Sequence, residues 1–341
     1  MNSLKKDQFK LSCHSLFGMP AFMPNGSIMH CFSAIPKWNP DNNEDKLLTI
    51  SSNNIDYILN NPITIKLRRQ ILEYKGQYKW ICPLNSNCKC NSTFNNYDKH
   101  YSKFQEFKFN KNHIINNTDI QFIVIDFSTY CQLKCLACWQ GGQDKQVNSN
   151  TLKFAHLEPN TFNNILKQLP NLLKINIANY GEPFINPNFC KLIDIINSYN
   201  NIKNICIFST NFNYITDTQI YSILHSNFSE IIISIDGVTP KTYSKYRIGG
   251  NFDKVIENIK RFNYFKELYN NTKVILSWQY ILFDFNLHEV EKAAQMAEDL
   301  GMKFYIRENH TKSFYLLDKS EYIESKQDII IKYLNQYQIY S

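Results

Sequence analysis

Arginine is nearly missing from this sequence. Five arginines, Arg68, Arg69, Arg247, Arg261 and Arg307, stand against 32 lysines, and the net charge of +7 is spread without a dense basic cluster. A diffuse lysine excess makes no phosphate-reading stripe, so charge gives no argument for nucleic acid as a partner. No apolar run approaches the ~20 residues of a membrane-spanning helix, and the polar, lysine-bearing start, Met1 to Lys10, is followed by no long apolar stretch of the secretory kind. The cytoplasm is the expected compartment, with no membrane partner. The eight histidines are scattered, and none pairs at metal-ligand spacing. There is no Gly-rich P-loop, no G-x-G-x-x-G after a strand and no G-x-S-x-G elbow. Nucleotide hydrolysis, hydride transfer on a Rossmann site and serine hydrolysis therefore lack support.

What is present is cysteine. The 341 residues, 43% hydrophobic and 20% charged, have a globular composition with room for a sizeable core, and ten of them are cysteines. In a reducing compartment such thiols read as metal ligands rather than disulfides. Three fall within eight residues, Cys131-Gln-Leu-Lys-Cys135-Leu-Ala-Cys138, directly after an apolar run at 121–127 that reads as a strand. Thiols at x3 then x2 spacing on a short loop can wrap three irons of a 4Fe-4S cubane, leaving one iron open to a substrate or cofactor. The alternative is a structural zinc site, for which the nearest histidine in sequence, His156, lies well beyond the loop.

This C-x3-C-x2-C loop after a first strand resembles the signature of the radical S-adenosylmethionine (radical SAM) superfamily. It departs from that signature at Ala137, where the family places an aromatic residue; Trp139 follows instead.

A second cysteine system precedes it. Cys13 and Cys31 flank Gly26 in a C-x12-G-x4-C spacing, with Asn25-Gly26 as a hairpin turn that tolerates positive φ. Cys82 and Cys88 form a C-x5-C element with Cys90 just beyond, after an expected helix over 55–74. The stretch resembles the SPASM or shorter twitch module that carries auxiliary clusters in many radical SAM enzymes, placed here before the barrel rather than after it. The resemblance implies one auxiliary 4Fe-4S cluster held by Cys13, Cys31, Cys82 and Cys88, with Cys90 able to replace Cys88. Zinc in a structural knob remains the alternative at these thiols.

From residue 120 onward, apolar runs at 121–127, 172–178, 204–209, 230–235, 273–283 and 303–306 alternate with helical stretches, among them 159–169, 187–199, 252–268 and 287–300. That pattern argues for an α/β fold of parallel strands joined by crossovers. By resemblance it is a (β/α)6 partial TIM-type barrel, the radical SAM core, over 111–310. Residues 1–110 form the small cysteine-rich SPASM/twitch-like domain and linker, and 311–341 a helical tail. Function in parallel barrels gathers at the C-terminal strand ends.

Four strand-end segments then match the family. Gly181, Glu182 and Pro183 resemble its glycine-glutamate segment, which implies a grip on the amino group of SAM; glycine permits close backbone approach and a carboxylate suits an ammonium. Thr210-Asn211-Phe212 resembles a Thr-Asn-Gly turn with Phe212 in place of the glycine, Asn211 facing ribose or substrate. Ser234-Ile235-Asp236-Gly237 and the later Arg247 resemble a Ser-x-Asp-Gly element and its arginine. They imply Ser234 on the ribose and Arg247 on the methionine carboxylate, which its fork can bind through both oxygens. Asp236 reads as a helix or turn cap; on the fifth strand Gln279, and then Asn286 at the next helix start, echo the family too, with amides that cap or orient loops as the alternative. Cys190 and Cys206, on a helix and in an apolar strand, read as small core residues.

The resemblance implies a radical SAM enzyme that reductively cleaves SAM at a 4Fe-4S cluster. The 5'-deoxyadenosyl radical so formed would abstract a substrate hydrogen, with peptide or protein modification as the leading expectation. A dehydrogenase or epimerase of a small alcohol or carbohydrate is the runner-up, and a non-catalytic iron-sulfur or zinc binding protein the alternative of another class. An electron donor such as flavodoxin or ferredoxin is the implied partner. No acid or base residue stands out from spacing.

Overall fold

The first strands come from turn chemistry. β1 (Ala21–Phe22) and β2 (Ile28–Met29) pair antiparallel around a turn in which Gly26, at φ 80°, donates its N–H to the Met23 carbonyl at 2.8 Å. The Asn25 side chain accepts from the Ser27 N–H at 3.0 Å, so the expected Asn25-Gly26 hairpin is present. The computed structural model describes residues 18–29, 54–73, 114–136, 138, 154–177, 180–307, 333, 336 and 337. Cys13, Cys31, Cys82, Cys88 and Cys90, and all but three residues of the expected 311–341 tail, lie outside them.

Six further strands follow the six apolar runs: β3 (Phe122–Ile125), β4 (Lys174–Ile177), β5 (Asn204–Thr210), β6 (Phe228–Ser234), β7 (Ile275–Ile281) and β8 (Lys303–Arg307). The sheet order is β2-β1-β3-β4-β5-β6-β7-β8, and every neighbouring pair except β1–β2 is parallel. The fold is thus α/β with a seven-stranded parallel sheet, consistent with the expected barrel core. β1 lies parallel to β3, with Ala21 opposite Val124 and Phe22 opposite Ile125, so the hairpin extends this sheet.

Period-two alternation sorts the two faces of the sheet. Ile123, Ile125, Ile175, Ile177, Ile205, Ile207, Ile231, Ile233, Leu276, Trp278 and Tyr280 pack with helix residues in one apolar core. The residues between them are largely polar or small: Asn176, Cys206, Glu230, Ser234, Ser277 and Gln279. The sheet therefore has one greasy face for the helices and one mixed face, where Val124 and Ile232 stand among the polar side chains.

The helices start where caps allow. α1 (Ile55–Leu59) begins after Asn54, whose side chain accepts from the Tyr57 N–H at 2.8 Å. α2 (Pro62–Glu73) is a separate helix, where one helix over 55–74 was expected. Pro62 lacks an N–H and crowds the preceding turn, so it opens a new helix instead of extending α1. Arg68 seals the break, donating through Nη2 to the Leu59 carbonyl at 2.8 Å and through Nη1 to Asn60 Oδ1 at 2.9 Å. Ile55, Ile58 and Leu59 join the same core as the sheet.

α3 (Pro159–Lys167) and α4 (Phe189–Asn197) bury Phe162, Ile165 and Leu166, and Leu192, Ile193 and Ile196, at helical spacing. α5 (Asp217–Leu224) starts from a reciprocal Thr216–Gln219 capping box. α6 (Pro240–Tyr246) starts at the Thr239 cap, α7 (Phe252–Leu268) at the Asn251 cap, and α8 (Val290–Asp299) turns Val290, Ala293 and Ala297 inward. Among the described residues, no helix is long and apolar enough to cross a membrane.

Candidate active site

β3 runs out into the segment that ends at Cys138, and the chain following β4 is pressed against it. A Cβ at Gly181 would collide with the Ser128 carbonyl oxygen and stand 2.7 Å from that of Tyr130. Only glycine lets these two backbones approach so closely. Next to it, the Glu182 N–H donates to the Tyr130 carbonyl at 2.8 Å, pinning the cysteine loop one residue before Cys131.

The Glu182 side chain is 1% exposed and fully engaged. Its Oε1 accepts from the Thr210 hydroxyl at 2.7 Å and the Phe184 N–H at 3.3 Å, and its Oε2 from the Asn211 N–H at 2.8 Å. Burial pushes this carboxyl up to about 7, against the pull of those donors. Pro183, also buried, opens a short 3-10 turn, Pro183–Ile185.

Cys131, Cys135 and Cys138 are all free thiols; Cys135 is buried and the other two are partly so. Leu133, Cys135, Tyr246 and Phe283 form a small apolar cluster against which Cys131, Leu136, Cys138 and Phe285 pack. Cys138 donates its N–H to the Cys135 carbonyl at 3.0 Å, closing the x2 turn, and Lys134 donates to the Ile248 carbonyl at 2.9 Å, tying the loop to the segment after α6. Burial pushes the Cys131 thiol up to about 12, helped by the charge of Glu182 and of the other two thiols. Burial also raises Cys135, while Arg247 draws it down. Mutually repelling thiols in a dry setting ask for a positively charged group to hold them as thiolates.

A zinc ion would draw three sulfurs to about 4 Å of one another. Among the described residues, no three His, Cys, Asp or Glu side chains gather in that way, His156 included. Three free cysteine thiols on one loop are the donor set that a cubane with one open iron takes, one thiol to each of three irons.

Two of these thiols meet donors, one just after β5 and one at the end of α6. Asn211 Nδ2 lies 3.6 Å from Cys131 Sγ, while Asn211 Oδ1 accepts from Gln132 Nε2 and from the Asn213 N–H, both at 3.0 Å. Arg247 Nη1 lies 3.9 Å from Cys135 Sγ. Its Nε donates to Asp236 Oδ2 at 2.6 Å, and its guanidinium lies over the Tyr246 ring at 5.0 Å. Burial disfavours the charge on Arg247, and Asp236 together with Cys135, Tyr246 and Tyr243 more than offsets it. Asp236 was expected to cap a helix or turn, but Thr239 caps α6, and Asp236 instead accepts from Arg247 and from the Ile281 N–H at 2.7 Å. Lying between two donors at the top of the sheet, it is drawn to the nearest cation.

Ser234 belongs to a separate chain of contacts. Its Oγ accepts from Gln279 Nε2 at 3.1 Å and lies 3.1 Å from the Ser209 hydroxyl. Asn286 orients its loop as expected, donating to the Asp236 and Ile281 carbonyls and accepting from the Phe283 N–H at 2.8 Å. Cys190 and Cys206 stand apart from the three thiols, Cys206 buried on β5 beside Asn176 and Glu230.

The sequence reading missed Thr210, which holds Glu182, and Tyr246 and Phe283, which wall the thiol loop. Thr210 sat inside the matched turn, but only the tertiary contact reveals its partner. Ala137 and Trp139 lie outside the described residues, so the aromatic wall seen here is that of Tyr246 and Phe283, whose rings are 4.6 Å apart.

A parallel α/β sheet with a three-thiol loop and a buried carboxylate at its strand ends defines the class of protein. A family model described as the radical SAM superfamily matches residues 125–297, just over half of the chain. The chain belongs to the radical SAM superfamily, whose members are enzymes. The sequence matches no curated protein.

Among solved structures, it is similar to Streptococcus suis SuiB bound to its precursor peptide SuiA, at 17% identity and TM-score 0.47 over 82% of this chain and 62% of that one. SuiB bound to S-adenosylmethionine is similar at 18% identity and TM-score 0.44, over 62% of this chain and 44% of that one. TsrM, a radical S-adenosylmethionine methyltransferase from Kitasatospora setae with cobalamin and a 4Fe-4S cluster bound, is similar at 9% identity and TM-score 0.44, over 60% and 40%. The chain spans less than two thirds of the length of each.

Proposed function

We propose that the chain reductively cleaves S-adenosylmethionine and uses the resulting radical to modify a peptide or protein. The observation that carries this reading is the placement of the Cys131, Cys135 and Cys138 loop against Glu182 and Asn211 beyond the ends of β4 and β5 and Arg247 at the end of α6, with donors 3.6 and 3.9 Å from two of the sulfurs. Cys131, Cys135 and Cys138 would each hold one iron of a 4Fe-4S cluster. When bound and reduced, that cluster supplies the electron that breaks the sulfonium bond of SAM to give methionine and a 5'-deoxyadenosyl radical, which takes a substrate hydrogen.

The chain's own residues bind and orient. Gly181 and Pro183 shape the backbone that carries Glu182, whose carboxylate would receive the SAM ammonium. Arg247 spends Nε and Nη1 on Asp236 and Cys135. A guanidinium has five N–H donors, so the remainder suit the methionine carboxylate. Asn211 and Ser234 would meet the ribose or substrate. Tyr246 and Phe283 exclude water from the thiol side, which limits quenching of reactive species. The auxiliary cluster proposed at Cys13, Cys31, Cys82 and Cys88, or Cys90, would take up the electron left when a substrate radical is oxidised. A flavodoxin or ferredoxin would deliver the first electron.

The test is anaerobic turnover of reconstituted protein with dithionite and SAM, reading 5'-deoxyadenosine. Wild type should form it and Cys131→Ala should not. A folded Cys131→Ala variant with the wild-type rate would overturn the reading. Stimulation by small-metabolite fractions alone, and not by peptide fractions, would replace the peptide substrate with a small alcohol or carbohydrate.

A further inference from the structure

Two carboxylates in this site do the same thing at two positions of the cysteine loop, one behind the donor facing Cys131 and one behind the donor facing Cys135. Glu182 receives the Asn211 N–H at 2.8 Å, and Asn211 turns its Nδ2 to Cys131 Sγ at 3.6 Å. Asp236 receives Arg247 Nε at 2.6 Å, and Arg247 turns Nη1 to Cys135 Sγ at 3.9 Å. Each donor is held from behind. Glu182 is fixed by Thr210 and Phe184, and Asp236 by the Ile281 N–H. Asn211 is held a second time by Gln132 and Asn213, and Arg247 by the Tyr246 ring. Glu182 and Asp236 are 1% and 0% exposed, so neither tether is a loose surface contact.

We propose that Asn211 and Arg247 are positioning residues that set the reduction potential of the group on these cysteines, and that Glu182 and Asp236 aim them. The inference rests on the proposed ligation by Cys131, Cys135 and Cys138. A one-electron reduction adds negative charge that spreads onto the ligating sulfurs. N–H donors and a cation facing those sulfurs stabilise the reduced form, which raises the potential. Arg247 presents an N–H donor to Cys135 Sγ at 3.9 Å, while Asp236 holds the guanidinium by its Nε. The pair therefore faces the sulfur with its positive end. This role is compatible with Arg247 also meeting the SAM carboxylate through its other donors.

The experiment is a redox titration of the reconstituted full chain followed by electron paramagnetic resonance, without SAM, with iron and sulfide assayed on each sample. Asn211→Ala and Arg247→Gln should each hold as much iron and sulfide as wild type and titrate at a more negative midpoint. Arg247→Gln leaves Asp236 buried without its cation, so the double variant Asp236→Asn with Arg247→Gln is run beside it. Its midpoint should also fall, by less than with Arg247→Gln alone. Arg247→Lys, which keeps the charge but not the fork, should fall between wild type and Arg247→Gln.

Variants that load fully and titrate at the wild-type midpoint would overturn the inference, since a merely structural role changes loading or stability and leaves the potential alone. If the Arg247 variants hold no cluster, the Asn211→Ala midpoint decides. A wild-type chain that gains no cluster at all, read from iron and sulfide before any titration, would overturn the proposed function and this inference with it.

Discussion

The carbonyl of Phe212 accepts a hydrogen bond from Asn258 Nδ2 at 2.9 Å, in the interior between β5 and α7. Phe212 stands where the resembling turn has glycine, and it keeps the glycine-like backbone, with φ at 55°. Its N–H donates to the Thr210 hydroxyl at 3.0 Å, and its ring packs edge-on against Phe184 and beside Phe262. A left-handed residue with a side chain costs about 1–2 kcal/mol. Burial of a whole phenylalanine contributes more than that.

Phe212→Gly should therefore destabilise the protein even though it relieves the backbone. Removing a buried Phe costs about 3–5 kcal/mol, and the relief returns about 1–2, for a net loss of about 1–4 kcal/mol. Denaturant unfolding measures it, and a gain in stability would show that backbone strain outweighs packing here.

Gly181→Ala should strike the site rather than the core. The new Cβ meets the Ser128 and Tyr130 carbonyls, which are backbone and cannot swing aside. The cysteine loop must then shift by a fraction of an ångström to an ångström. Displacements of that size cost about 100-fold in rate when they misplace reacting groups. Formation of 5'-deoxyadenosine should fall by roughly that factor, and unchanged turnover would mean that the loop and the Gly181 backbone do not need their close contact.

Glu182 gives the metal-free protein a pH signature. Burial holds its carboxyl near 7, above the ordinary carboxylate range. Between pH about 4.5 and about 7 the folded state then carries more protons than the unfolded one, so stability declines as pH rises through that window and is flat above it. The span of the shift sets a ceiling of about 3 kcal/mol. Denaturant midpoints taken from pH 4.5 to 8 should show this fall in wild type, and Glu182→Gln should flatten it. A wild-type curve that rises over the same range would reverse the sign assigned to Glu182.

Iron counts separate the two proposed clusters. Anaerobically reconstituted wild type should hold about eight irons, and the variant with Cys131, Cys135 and Cys138 all changed to Ala about four. A fall from about four to none, with zinc in both proteins, would make the N-terminal cysteines a structural zinc knob and remove the electron acceptor.

Local chemistry was legible in the residues themselves. The Asn25-Gly26 turn, the six alternating runs and the x3, x2 thiol spacing each lie within a few residues, where steric rules and periodicity act directly. Even the break at Pro62, missed as a helix boundary, was written in a local residue type. Fold class follows from such signals because an apolar strand face must find helices to cover it.

The wiring of the site was decided only by the tertiary structure. Asn211 and Cys131 are 80 residues apart in sequence, and Arg247 and Cys135 are 112 apart. Nothing local says which thiol each donor will face, because that depends on how neighbouring strands register and on where their C-terminal ends stop. Asp236 shows the same limit: its neighbourhood in sequence suggests a cap, whereas its position beside Arg247 and the Ile281 N–H makes it a buried counter-ion. The sequence by itself determined the strands, the turns and the spacing of the three thiols. The parallel sheet, by bringing distant strand ends to one level, decided what each of them touches.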